Sequence, residues 1–146
     1  MRTIFDKTTR DEVIGRINLL KENSAAQWGK MTVAQMVKHL AQWDEMAQGK
    51  KLYKRSFIGK LFGKMGLKDM MKDAPVKRNL PTVPSFKIKE NPDLAEEKKK
   101  LISSINAYEN YSIDGFIHPF FGKMTKEDTG IMVYKHIDHH LQQFNS

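Results

Sequence analysis

Apolar residues recur at three- and four-residue spacing in four separate stretches of this 146-residue chain, and that period is the signature of a helix with one buried face. Val13, Ile14, Ile17 and Leu20 make the first stripe, and Val33, Met36, Val37, Leu40, Trp43 and Met46 the second. Leu94, Leu101, Ile102, Ile105 and Tyr108 make the third. The last, Val133, His136, Ile137, His140, Leu141 and Phe144, is the most regular and carries two histidines among its apolar members. Every stripe must be covered. A chain of 146 residues supplies one core for the purpose, so residues 1–146 read as a single domain.

Punctuation agrees with the stripes. Thr9-Arg10-Asp11-Glu12 has the form of a capping box before the first helix, and Thr32 with Gln35 repeats it before the second. Gly49 suits the end of the second helix, and Asn91-Pro92 the start of the third. Thr125 opens the last helix, after a loop holding Gly115, His118-Pro119-Phe120-Phe121 and Gly122. Residues 50–92 differ in character. Phe57, Ile58, Leu61, Phe62 and Met65 give a short apolar helical face flanked by Lys60, Lys64 and Lys68, after which Pro75, Pro81 and Pro84 forbid regular helix. This segment reads as a crossover whose apolar face covers the body. The expected architecture is all-α: a four-helix up-down bundle with a long crossover between helices two and three.

The net charge of +8 is concentrated in that crossover. Between Lys50 and Lys89 there are twelve Lys or Arg against Asp69 and Asp73, a balance of +10 that leaves −2 for the rest. Nucleic-acid binding is disfavoured, because no recognition motif is present and few aromatics interleave with the charges. An anionic small molecule or a membrane surface are the other partners such a segment suits. No stretch approaches the ~18 apolar residues of a transmembrane helix, and the start of the chain has no signal-peptide pattern, so a cytoplasmic location is expected. Oligomeric state stays open, a homodimer included.

The chain has no cysteine, which excludes thiolate metal sites, iron–sulfur clusters, disulfides and a cysteine nucleophile. Any metal must use nitrogen and oxygen ligands. Of the five histidines, at 39, 118, 136, 139 and 140, His136 and His140 stand one helical turn apart on the apolar face. His39 lies between Met36 and Trp43 on the apolar stripe of the second helix. Each inward imidazole carries a donor and an acceptor, and leaving one unpaired costs about 1–3 kcal/mol. A divalent cation shared by His39, His136 and His140 satisfies all three, and imidazole suits zinc, nickel, copper and iron alike. The alternative is that each ring is simply hydrogen-bonded to the protein. The zinc-protease pattern is missing, because Ile137 follows His136. Gln35, Trp43 and His139 are candidates for the pocket wall; His118, before Pro119, reads as an anchor for Phe120-Phe121. No catalytic base stands out.

Three segments carry a family resemblance. Trp28-Gly29-Lys30-Met31-Thr32-Val33-Ala34-Gln35-Met36-Val37-Lys38-His39-Leu40 resembles the second-helix entry of DinB-like proteins. His118-Pro119-Phe120-Phe121-Gly122-Lys123-Met124-Thr125 and Lys135-His136-Ile137-Asp138-His139-His140-Leu141-Gln142-Gln143-Phe144 look like their closing loop and last helix, nearest to an uncharacterised branch. The resemblance implies a four-helix bundle with a long crossover. It also implies a metal site, usually for nickel or zinc, on one histidine of the second helix and a four-spaced pair on the last: His39, His136 and His140. Characterised relatives include thiol-dependent S-transferases, a mycothiol-dependent isomerase and proposed metal-dependent hydrolases. Many continue the last pair with Arg-Gly-Gln, where this chain has Leu141-Gln142-Gln143.

Open positions on a three-histidine ion suit catalysis. On the resemblance, the expected function is a small-thiol S-transferase using a divalent metal, with a metal-dependent hydrolase or a non-catalytic small-molecule or metal-binding stress protein as alternatives.

Overall fold

The structure, a computed structural model, describes residues 1–146. Five helices are present: α1 (Lys7–Leu19), α2 (Val33–Ala47), α3 (Phe57–Met70), α4 (Leu94–Asn106) and α5 (Lys126–Gln143). Two strands, β1 (Gly115–His118) and β2 (Gly122–Thr125), form an antiparallel hairpin with Gly115 opposite Thr125 and His118 opposite Gly122. The all-α four-helix bundle expected from the stripes is therefore incorrect on two counts: a fifth helix lies in the crossover, and the loop before α5 is a two-stranded sheet. No helix is long and apolar enough to cross a membrane.

The hairpin escaped the apolar pattern because its four-residue strands are too short to establish an alternation. Its turn is held from within. The Phe120 and Phe121 amides both donate to His118 Nδ1 at 3.1 Å, while Gly122 adopts a left-handed backbone, φ 86°, that a side chain would strain.

The central core joins α1, α2, α4 and α5. α2 packs on α4 and α5, and α1 on the same two helices. Val13, Ile17, Met36, Val37, Leu40, Leu101, Ile105, Ile137 and Leu141 are all buried there. Helix boundaries follow local chemistry. Thr32 and Gln35 form the capping box of α2, and Thr125 with Asp128 forms that of α5. Two expected starts move. α1 begins at Lys7, before Thr9, because Arg10 donates to the Ile4 and Phe5 carbonyls and holds the entering chain. Asp93, not Asn91, caps α4, its carboxylate accepting from the Glu96 amide at 2.8 Å.

α3 is oriented opposite to expectation. Its only buried residues are Gly59 and Gly63, and a Cβ at either would collide with the Phe120 carbonyl. The helix thus rests on the hairpin turn by its glycine side, and backbone meets backbone. Phe57, Ile58, Leu61, Phe62 and Met65 face outward, 51–75% exposed. Both ends are fixed. Ser56 Oγ caps the Gly59 amide, and Lys135 Nζ donates to the carbonyls of Met70, Lys72 and Ala74 at 2.7–2.8 Å beyond the last turn.

Candidate metal centre

α2 and α5 cross so that His39, His136 and His140 face one another. Their ring centroids form a near-equilateral triangle, 5.0, 5.0 and 4.8 Å on a side. One nitrogen from each lies within 4.8 Å of the others. His39 and His140 are buried, and His136 keeps partial exposure.

Hydrogen bonds fix which nitrogen each ring presents. His39 Nδ1 lies 3.1 Å from the Phe86 carbonyl, which can only accept, so Nδ1 carries the proton and Nε2 a lone pair. His140 Nδ1 donates to Gln143 Oε1 at 2.8 Å, and Gln143 is itself oriented by donating Nε2–H to the Trp28 carbonyl at 2.7 Å. Such outer partners set tautomer and ring orientation in histidine metal sites. His39 Nε2 and His136 Nε2 are 3.1 Å apart. Because His39 Nε2 bears the lone pair, this contact is His136 Nε2–H donating to His39.

The group fits a divalent ion. Ligand bonds of about 2.0–2.1 Å at a tetrahedral angle place nitrogens ~3.4 Å apart. The 3.1 Å His39–His136 contact nearly meets that spacing, and the widest separation, at most 4.8 Å, needs to close by about 1.4 Å. Protonation does not compete. Burial pushes the pKa of His39, His136 and His140 below the ordinary histidine value, His140 to about 3, and the neighbouring imidazoles reinforce the shift at His136 and His140.

The walls are aromatic. The Trp43 ring is 5.5 Å from His136, 5.8 Å from His118 and 5.9 Å from Phe116; Phe86 stands edge-on to His39 at 6.3 Å. His118 is buried beside this cluster, its pKa lowered to about 3 by burial and then by Arg55. Its Nδ1 accepts two amides, so the proton sits on Nε2, and neither nitrogen is free to coordinate.

Residues 4–146 match the profile of the family described as "Protein of unknown function (DUF1569)". The chain belongs to that family. No curated protein and no solved structure matches the chain.

Of the residues singled out in the sequence, His39, His136 and His140 come together, with Trp43 beside them. Gln35 is occupied elsewhere, accepting from the Thr32 amide in the capping box and donating to the Glu90 carbonyl. His139 lies tilted against Trp28, ring centroids 5.4 Å apart, and stands 5.2 Å from the His140 ring, outside the triad. Asp138 is held by Arg16 and Gln142. Two supporting groups went unrecognised. Gln143 carried a readable signal, three residues after His140 and thus one turn along the same face. The Phe86 carbonyl carried none, since every residue has one and only the folded crossover brings it to His39.

Proposed function

We propose that this protein is a metal-dependent enzyme of the DinB-like type, in which His39, His136 and His140 hold one nickel or zinc ion and a small thiol is transferred to an electrophilic substrate. One observation carries the reading: three neutral imidazoles converge, two of them already oriented by Phe86 and Gln143, with no carboxylate in the group. An ion so held keeps its full positive charge and would favour deprotonation of a thiol or water brought to it.

The chain's own residues favour the thiol. A thiol titrates near 8.5 and so asks less of a base than water does. The carboxylates of Asp138 and Glu90 are committed to Arg16 and Lys38, while Asp44, bonded by Tyr108 and with its pKa pushed up to about 8 by burial, holds its proton at neutral pH. Buried Trp43 and Phe86, with partly buried Phe116, cover the inner side of the triad, and His136, which keeps slight exposure, marks the side open to a substrate. The three imidazoles stay neutral across the physiological range because burial disfavours their charged forms.

The test is elemental analysis of untagged protein purified without added metal, followed by assays pairing small thiols with electrophiles and, separately, ester and amide hydrolysis assays. About one metal per chain and thiol-dependent turnover, both lost in His136→Ala, support the reading. Metal-dependent hydrolysis with no thiol dependence would move the assignment to a hydrolase. Metal-free protein that acquires none on dialysis against nickel or zinc removes the proposal.

A further inference from the structure

We propose that the outer face of α3 is a docking surface for anionic lipid, on which the protein lies with this helix in the plane of the membrane interface. Around the helix three arcs can be distinguished, with Asp69 of the last turn at the end of the outer one and paired to Lys72 and Lys77. Gly59, Gly63 and Gly66 form the inner arc against Phe120 and Phe121. Phe57, Ile58, Leu61, Phe62 and Met65 form a continuous outer arc, more than half exposed throughout. Lys60, Lys64 and Lys68, all exposed, run along one edge of that outer arc. Five large apolar side chains left open side by side form a patch of the kind that marks an interaction surface.

A helix whose large apolar residues could have been covered by its own protein instead spends its inward side on glycines. Gly59 and Gly63 bring the backbone against the hairpin, and Ser56 and Lys135 fix the two ends, so the outer arc is held facing solvent along the ~20 Å that fourteen residues span. This is the arrangement of an interfacial helix, in which aromatic and aliphatic side chains enter the acyl boundary while lysines stay at the headgroups.

Charge selects the occupant. Lys50, Lys51, Lys54 and Arg55 precede the helix, Lys72, Lys77 and Arg78 follow it, and residues 50–89 carry a balance of +10. A second copy meeting this face would bring two such segments together at the cost of mutual repulsion. An anionic leaflet complements it and gains about 1 kcal/mol per lysine near the surface. The proposal uses no residue of the histidine triad and stands or falls apart from it.

The test is co-sedimentation of the full-length protein with vesicles of dioleoylphosphatidylcholine, alone and mixed with dioleoylphosphatidylglycerol, together with analytical ultracentrifugation without lipid. Binding to the mixed vesicles only is expected. Lys60→Gln with Lys64→Gln should weaken it roughly fivefold per lysine, and Leu61→Asn with Met65→Asn by at least ~tenfold. A Leu61→Trp variant should show blue-shifted emission on binding. These side chains are exposed, so far-UV circular dichroism should be unchanged in every variant. Absence of sedimentation with either vesicle overturns the proposal. So does binding that leaves the Leu61→Trp emission unmoved and ignores Leu61→Asn with Met65→Asn, which would be charge attraction alone. A dimer in solution that those same variants dissolve, without vesicle binding, assigns the face to a second copy and also overturns it.

Discussion

The histidine triad and α3 put similar sequence patterns to opposite use. On α2 and α5, the stripe containing Met36, His39, Leu40, Trp43, Val133, His136, Ile137 and His140 turns inward, and its polar members are placed among apolar neighbours. On α3 the stripe is equally apolar and equally well spaced, yet it turns outward. A helical period shows that a helix has an apolar side. Which side the fold covers depends on what the other side can do, and on α3 the glycines allow a backbone-to-backbone approach that no larger residue permits. Burial of the histidines and exposure of Phe57, Leu61 and Met65 are thus separate properties, and each can be broken without the other.

The largest effect is expected at the triad. His39→Ala or His136→Ala removes one of three ligands, and metal affinity should fall by more than the ~10–100-fold typical of losing an outer-shell partner. Elemental analysis should then move from about one ion per chain to near none. Gln143→Leu, which leaves all three imidazoles in place but removes the acceptor at His140 Nδ1, should show the smaller ~10–100-fold loss. Equal metal content in wild type and His136→Ala would mean that these rings are ordinary core histidines.

Next comes the dependence of stability on pH, where buried groups of opposite sign meet. His39, His118, His136 and His140 have folded pKa values below the unfolded value of about 6.5. The unfolded chain therefore binds the extra protons, and stability falls as pH drops below ~6.5. Asp44 on α2 acts the other way. It is buried with Oδ2 unpaired, Tyr108 donates to Oδ1 at 3.0 Å, and burial raises its pKa from 3.8 to about 8. Its folded form keeps a proton that the unfolded chain has lost, so its contribution declines from near pH 4 until pH 8. Below ~7 the protons gained by four unfolded histidines outweigh one carboxyl, and above it Asp44 outweighs them. Metal-free protein should be most stable at pH ~7 and lose less than about 1 kcal/mol by pH 8 in denaturant titrations. Asp44→Asn, which preserves the acceptor for Tyr108, should abolish the alkaline decline and steepen the acid limb, where Asp44 no longer opposes the histidines.

Much of this arrangement could be read before folding. The stripes of α1, α2, α4 and α5, the capping box at Thr32 and the placing of His39, His136 and His140 on apolar faces follow from spacing, because periodicity and capping are local, whereas the box read at Thr9 lies inside α1. The hairpin was hidden because its strands are short and its turn is organised by His118 Nδ1, a contact between a side chain and two amides. The orientation of α3 was hidden for a different reason. Its glycines could have been taken for weak points in a poor helix, whereas they are the contact surface, and that depends on Phe120 and Phe121 more than fifty residues away.

Substitution at that contact surface gives the third effect. Gly63→Leu forces a side chain against the Phe120 carbonyl, and backbone cannot yield as a flexible side-chain tip can. Overpacking of this kind costs about 1–3 kcal/mol. Thermal denaturation should register the loss, and proteolysis should become faster within residues 50–72 as α3 lifts from the hairpin. Metal content should persist, since none of the three ligands touches α3. Loss of metal together with lifting of α3 would show that the two regions are coupled through His118 and Trp43, which stand between the hairpin and His136.

The smallest effect is the most pointed. Leu61→Ser replaces a large apolar side chain in the middle of a helix, and in a covered helix it would cost ~2–5 kcal/mol. Leu61 is 62% exposed, so little apolar area returns to water and no cavity opens. The remaining terms are a modest difference in helix propensity and the hydroxyl's competition for backbone hydrogen bonds, within ~0.5 kcal/mol. Met65→Ser at 67% exposure should behave alike, whereas Leu40→Ser, buried on α2, should not. Denaturant midpoints of the three variants read the contrast directly. A Leu61→Ser cost close to that of Leu40→Ser would mean that α3 is covered in solution, by itself or by a second copy, and the outer arc could then no longer be treated as free.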